Sequence, residues 1–313
     1  QTWGPVGLWC MAAKDCDIMF NEVYEASHAA SDKDGGGIDI DWACENITVQ
    51  YNKLYDSYGS GIATMSNIGG KILNNYVYGN QCKTHNGQIS LTEYNGDEWG
   101  EYPTGVFDNV VSGNLIITDT PTKNAFSLSV YGADTWSGNS FTDNRVVYRG
   151  GGEAYYIFMN MRDESVPLAE VDRNKFFYGD GAAFKGQYKV RSYRSFEDWK
   201  EATGFDKNSA HLPYDPAAPG APVNLKASRG RGGVTLTWDA PASGAPVWHY
   251  NIYRSENKDD FPLTYYQTMI GESETCKFVD TENIEAGKIY YYKVEAESDC
   301  GVTSLAAAEA AAE

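Results

Sequence analysis

The sequence predicts an all-β protein in two parts: a solenoid of stacked parallel strands over residues 1–212 and a smaller β-sandwich over 221–313. A linker at 213–220 joins them. Three observations lead there. Two short apolar patterns alternate six times through the first two-thirds of the chain. A stretch rich in Pro, Ala and Gly follows, and beyond it period-two strands with clustered aromatics begin.

The first pattern is Asn, any residue, then two apolar or aromatic residues. It occurs at Asn21-Glu-Val-Tyr, Asn52-Lys-Leu-Tyr, Asn75-Tyr-Val-Tyr, Asn114-Leu-Ile-Ile, Asn144-Arg-Val-Val and Asn174-Lys-Phe-Phe, at intervals of 31, 23, 39, 30 and 30 residues. Between these lie Gly7-Leu-Trp-Cys, Gly37-Ile-Asp-Ile, Gly61-Ile-Ala-Thr, Gln88-Ile-Ser-Leu, Ala125-Phe-Ser-Leu and Tyr155-Tyr-Ile-Phe. Interleaved short strands in a fixed order are the mark of a solenoid, each strand pairing in parallel with its counterpart one coil away. Alternation along each strand then sends Leu8, Ile38, Ile62, Ile89, Phe126 and Tyr156 into the bore. The recurrent Asn suits a tight bend, because it tolerates the left-handed conformation and its amide can hydrogen-bond from coil to coil. No 3.6-residue apolar period persists between residues 17 and 180, which excludes a helical repeat. The register is already in phase at Gly7, so an N-terminal cap, earlier coils and further domains of a longer chain are expected.

Composition narrows the partners. The chain has 313 residues and a formal net charge of -18, which argues against nucleic acid and disfavours polyanions unless a cation intervenes. Neutral polysaccharides and oligosaccharides carry no such penalty, and 23 Tyr and 8 Trp supply ring faces on which sugars stack. No run of eighteen apolar residues occurs, so no membrane span is expected. Cys10, Cys16, Cys44, Cys82, Cys276 and Cys300 form no CxxC pair, which excludes the usual zinc-site spacing. Six cysteines suit an exported chain; Cys276 and Cys300 could pair, but the connectivity is not deducible, and buried free thiols fit equally.

Residues 4–75, with GPVGLW, CDIMFNEVYEAS, DGGGIDIDWACENITVQYNKLYDSYGSGI and ILNNYVYGN, resemble right-handed parallel β-helix proteins of the carbohydrate-active, pectate-lyase-like type. The stretch from Ser195 to Ser209 looks like the amphipathic segment that closes such solenoids. This resemblance implies a secreted or cell-surface protein engaging polysaccharide, on a fold that hosts hydrolases, lyases, epimerases and adhesins. After the linker, Val234-Thr-Leu-Thr-Trp-Asp-Ala-Pro, Tyr250-Asn-Ile-Tyr-Arg-Ser and Tyr290-Tyr-Tyr-Lys-Val-Glu-Ala resemble a fibronectin type III domain. That resemblance implies a buried Trp238, a corner anchored by the middle tyrosine, Tyr291, and a spacer or docking role without catalysis.

Three places could carry chemistry. In GIDID, Asp39 and Asp41 alternate with Ile38 and Ile40, so both carboxylates leave one face of a strand within roughly 7 Å of each other. Mutual repulsion raises one pKa, leaving one group as acid and the other as base or nucleophile. The same pair could hold calcium, or be a solvated acidic strand face. The second place is the long insertion after Leu91, where Glu93 lies about 10 Å away on the same side of the solenoid, and Trp99 and Tyr102 offer stacking platforms. The third is the loop leading to the acidic strand, where His28 titrates near neutrality, with Trp136 at the equivalent bend of a later coil. The sequence thus favours a glycoside hydrolase with Asp39, Asp41 and Glu93 as catalytic carboxylates and His28, Trp99, Tyr102 and Trp136 binding substrate. It requires no cofactor or resident metal. A glycan-binding or adhesion module and a calcium-dependent polysaccharide lyase are the alternatives, the latter weakened because no Arg or Lys occurs in the acidic strand or its neighbours.

Overall fold

A computed structural model of the chain divides into two units, Gln1–Tyr214 and Asp215–Glu313. The structure describes residues 5–27, 34–83, 87–93, 105–119, 124–130, 136–161, 170–264, 267–304 and 308–312. Both units are built almost wholly of strands; among the described residues one helix, Phe196–Thr203, interrupts them. That helix is far too short to cross a membrane, and no described helix is long and apolar enough to do so.

Among the described residues the first unit contains four open sheets of short strands, and successive strands of the chain are dealt to them in turn. In the eight-stranded sheet, Leu8, Ile38, Ile62 and Ile89 stand side by side in parallel register and continue to Phe126. In the seven-stranded sheet, Val23, Leu54, Val77, Ile116, Val146 and Phe176 do the same. In the six-stranded sheet Ile18, Val49, Ile72, Val111, Phe141 and Val171 line up. These three columns merge into one apolar core. One expectation needs correcting: Phe126 pairs with Ile157, not Tyr156, because a register irregularity separates Tyr155 from Ile157. Tyr156 is still fully buried, stacked on Phe184 with ring centroids 5.3 Å apart.

The glycines that open the strands of the eight-stranded sheet are required by close approach. A Cβ on Gly37 would stand 2.6 Å from the Gly61 carbonyl oxygen, and one on Gly7 would stand 2.6 Å from the Gly37 oxygen. Backbone against backbone cannot yield cheaply, so these positions admit no side chain.

The recurrent asparagines form a continuous ladder. The backbone N–H and Nδ2 of Asn21 both donate to Asn52 Oδ1, at 2.9 Å each. Asn52 donates likewise to Asn75, Asn75 to Asn114, Asn114 to Asn144, and Asn144 to Asn174. Each inner amide also reaches back to a main-chain carbonyl of the previous passage of the chain, as Asn114 Nδ2 does to Ile72 O at 2.8 Å. The row ends on the buried Asp206, whose Oδ1 accepts from Asn174 Nδ2 at 3.0 Å and whose Oδ2 accepts from the Trp199 indole at 2.8 Å. The asparagines are not themselves the left-handed residues. Positive φ falls on the preceding position: Phe20, Tyr51, Asn74, Gly113, Asp143 and Arg173. Five of these six are not glycine, and each left-handed residue costs roughly 1–2 kcal/mol. The ladder bonds offset that cost by satisfying the amides that each bend exposes. A second, shorter ladder joins Gly70 N–H to Asn109 and Asn109 to Asn139.

The helix Phe196–Thr203 starts at Ser195, whose hydroxyl accepts from Asp198 N–H, and stops at Gly204 with φ 72°. It buries Phe196 and Trp199, the latter lying over Gly186, where a Cβ would meet the indole at 3.0 Å.

In the second unit, Val223–Gly230, Gly233–Asp239 and Lys277–Asp280 make one antiparallel sheet. Met269–Ser273, Val247–Ser255, Tyr290–Ser298 and Ala308–Ala312 make the other. Trp238 is buried with its ring edge-on to Tyr250, beside Leu236, Ile252 and Val294. Period-two alternation buries Tyr290 and Tyr292 and leaves Tyr291 between them half-exposed. The anchoring tyrosine is therefore Tyr290, not Tyr291. Its hydroxyl donates to Asn283 O and accepts from Glu285 N–H, both at 3.1 Å. Tyr290→Phe is expected to lose about 0.5–1.5 kcal/mol in denaturant titration, because it gives up two main-chain hydrogen bonds to exposed residues whose groups water can then satisfy. Tyr291→Phe is expected to stay within about 0.5 kcal/mol of the parent. Cys276 and Cys300 are not joined as a disulfide, and Cys276 Sγ lies 3.5 Å from the Tyr250 hydroxyl.

Candidate functional site

The acidic strand Ile38–Ile40 is second in the eight-stranded sheet, between Leu8–Cys10 and Ile62–Met65. Ile38 and Ile40 are fully buried in the core, so alternation turns Asp39 to the opposite face of the sheet. That face is not the open surface expected from the sequence: Asp39 is only 4% exposed. Its Oδ1 is buried without a hydrogen-bond partner among the described residues. Burial, reinforced by the Asp41 and Asp34 carboxylates, pushes Asp39 up to about 8, so at neutral pH it holds its proton.

Asp41 follows directly and is half-buried; its N–H donates to Cys10 O at 2.9 Å. Its Oδ1 accepts from Trp42 N–H at 2.8 Å and its Oδ2 from the Trp9 indole at 3.2 Å. Burial raises its pKa too, and these two hydrogen bonds oppose the rise. Neighbouring carboxyls therefore differ in environment: Asp39 is dry and short of donors, while Asp41 is held by two N–H groups.

The face continues along the sheet as a buried polar floor. Asp39 stands beside Ala63, then Ser90 and Ser127, whose hydroxyls are 2.7 Å apart. Asp41 follows Ile40, the partner of Thr64, and Met65, Thr92 and Ser129 stand side by side one residue beyond Thr64. The Ser129 hydroxyl is buried with no partner among the described residues. Glu93, one residue past Thr92, falls outside both of these outward columns. It is 3% exposed and its N–H donates to Ser129 O at 2.8 Å. Trp136 opens the two-residue strand Trp136–Ser137, paired with Val106–Phe107 in a different, four-stranded sheet. His28, Trp99 and Tyr102 lie outside the described residues. The structure thus brings Asp39 and Asp41 together, and sets Glu93 just past the end of a strand two along in the sheet.

Two participants were missed. Trp9 is 54% exposed and stands directly beside Asp39 in register. Laying Gly7-Leu-Trp-Cys over Gly37-Ile-Asp-Ile already puts them side by side. Cys10 and Cys44 bring their sulfurs within 3.9 Å beneath the same strand. No sequence pattern marked that pair, since Cys44 opens the two-residue strand Cys44–Glu45 of a different sheet. Among the described residues no three His, Cys, Asp or Glu side chains are grouped to hold a metal ion. A carboxyl protonated at neutral pH next to a second carboxyl can donate and accept protons on one bound molecule.

A two-unit β protein with an acidic pair on one parallel sheet is the class these features define. Within it, the family model of the fibronectin type III domain matches residues 220–309, and that segment is a fibronectin type III domain. Among solved structures, a Fn3-like protein from Clostridium thermocellum is 30% identical, with 31% of this chain and 93% of that one covered, at a TM-score of 0.25. Domains A168–A170 of titin are 20% identical over 35% of this chain and 37% of that one, also at 0.25. The spore cortex lytic enzyme SleM of Clostridium perfringens is 9% identical over 86% and 90%, at 0.27. A search of the curated proteins returned no match.

Proposed function

We propose that the first unit is a right-handed parallel β-helix and that the chain is a secreted polysaccharide-degrading protein, a glycoside hydrolase working from the Asp39 and Asp41 face. The observation that carries this reading is the contrast between the two carboxyls: Asp39 buried and protonated at neutral pH, Asp41 two residues on and held by N–H donors. The order in which strands are dealt to the parallel sheets supports the β-helix. Asp39 gives its proton to the glycosidic oxygen as the bond to the anomeric carbon breaks. Asp41 takes a proton from the water that adds to that carbon. Two residues along a strand place the groups roughly 7 Å apart, within the span that leaves room for a water in an inverting pair. The exposed Trp9 ring is a stacking surface beside the pair.

The test is a reducing-end assay on a panel of neutral polysaccharides, comparing the parent with Asp41→Asn. We expect at least about a hundredfold loss of turnover in the variant. Equal rates would reject the assignment. The half-exposed Trp9 also favours a second reading, a non-catalytic glycan-binding module. Saturable glycan binding lost in Trp9→Ala, with no reducing ends released by the parent, would select it.

A further inference from the structure

We infer that Cys10 and Cys44 are a redox pair that closes to a disulfide and fastens the first strand of the eight-stranded sheet to the segment following the acidic strand. Their sulfurs lie 3.9 Å apart, and Cys44 Sγ is also 3.8 Å from Cys10 O. A disulfide needs about 2.05 Å, so the two sulfurs must close by roughly 1.9 Å. The flanking backbone is already fixed. Ala12 N–H donates to Trp42 O at 3.1 Å, Glu45 N–H to Ala13 O at 2.9 Å, and Lys14 bridges in parallel to Glu45. Cys10 is half-exposed and Cys44 is buried, so an oxidant meets Cys10 first and Cys44 stands behind it.

The contact between the two sulfurs lowers the Cys44 thiol and raises the Cys10 thiol, so the first proton leaves the pair from the Cys44 side and the second is held between the sulfurs. The oxidant we name is a small-molecule disulfide such as glutathione disulfide. A thiolate at Cys10, formed when the shared proton moves to Cys44, attacks one glutathione sulfur and expels one glutathione thiolate, leaving a mixed disulfide. After Cys44 loses that proton, its thiolate attacks the Cys10 sulfur and expels the second glutathione. Two protein thiols are oxidised, one glutathione disulfide is reduced to two thiols, and the two protein protons end on them. The bond would tie down the outermost strand, and with it Trp9, whose indole holds Asp41.

The experiment treats the full chain with glutathione disulfide, blocks remaining thiols by alkylation and maps peptides by mass spectrometry. The expected product is two hydrogen masses lighter, with one cross-linked peptide joining Cys10 to Cys44, and it reverts under dithiothreitol. The exposed Cys16 is the competing thiol, its sulfur 3.3 Å from Lys14 O. Cys16→Ser should therefore still cross-link, whereas Cys10→Ser should not. The melting midpoint should rise on oxidation in the parent and in Cys16→Ser only. A stable glutathione adduct on Cys10, a link through Cys16, or two alkylated thiols at 10 and 44 would overturn the assignment. Because the parent and Cys16→Ser retain both partners, the outcome does not depend on the folding of Cys44 variants.

Discussion

Asp39→Asn is expected to slow glycan cleavage by about two to three orders of magnitude, the usual worth of a general acid, and at the same time to make the protein more stable in alkali. Both effects follow from burial. The parent carboxyl is 4% exposed and holds its proton up to about pH 8, whereas in the unfolded chain it ionises near 4. Between those values the folded state binds a proton that the unfolded state has lost. Stability attached to this group is thus complete below about pH 4 and declines as pH rises towards about 8. The decline is at most about 1.4 kcal/mol per pH unit, then levels off. Asn has the same shape and never ionises, so the variant escapes this term. Urea midpoints at about pH 5 and about pH 9 should show the variant gaining on the parent at the higher value. A difference independent of pH would mean that Asp39 is already charged in the folded protein. That result would also remove it as proton donor.

Asn114→Ala is expected to cost on the order of 3–5 kcal/mol in the same titration. The loss leaves Asn75 N–H and Asn75 Nδ2 without their acceptor at 3.0 and 2.9 Å, and Ile72 O without its donor. All are buried, where each unmade bond costs about 1–3 kcal/mol. Asn21→Ala, at the N-terminal end of the row and half-buried, removes only the Nδ2 donor to Asn52 while the backbone N–H stays in place, and should cost only about 1 kcal/mol. Equal losses at the two positions would show that the amides act separately rather than as a ladder.

Much of this architecture was legible because it is local and repeated. The interval between asparagines and the alternation around Ile38, Ile62 and Ile89 set the strands, and parallel pairing follows from equivalent positions standing side by side. The left-handed residue was misplaced by one, because an Asn in a bend fits either the strained position or the position that restrains it. Only hydrogen-bond geometry separates the two. Tyr156 slipped by one for a related reason: an irregularity in pairing leaves no trace in an apolar run such as Tyr155-Tyr-Ile-Phe. At the site, pairing of Asp39 with Asp41 was readable from i, i+2 spacing. The depth of Asp39 was not, since burial of an outward face depends on parts of the chain distant in sequence. Trp9 was readable in the aligned repeats, but indole donation to Asp41 joins residues 32 apart in sequence.

The asparagine row also has a polarity. Every side-chain amide donates towards the C-terminal end of the unit and accepts from the N-terminal side, so the amide dipoles add head to tail. The positive end of that summed dipole falls where Asp206 accepts from Asn174, with Ser209 and Trp199 completing its hydrogen bonds. A row of neutral side chains thereby acts as a helix axis does, favouring an anionic group at one end only. Passages of the chain could be gained or lost in the interior without disturbing this arrangement, since each contributes one more identical link. What the arrangement fixes is direction: the carboxylate belongs at the closing end, and an asparagine there would leave the last donor facing an amide with nowhere further to pass its charge.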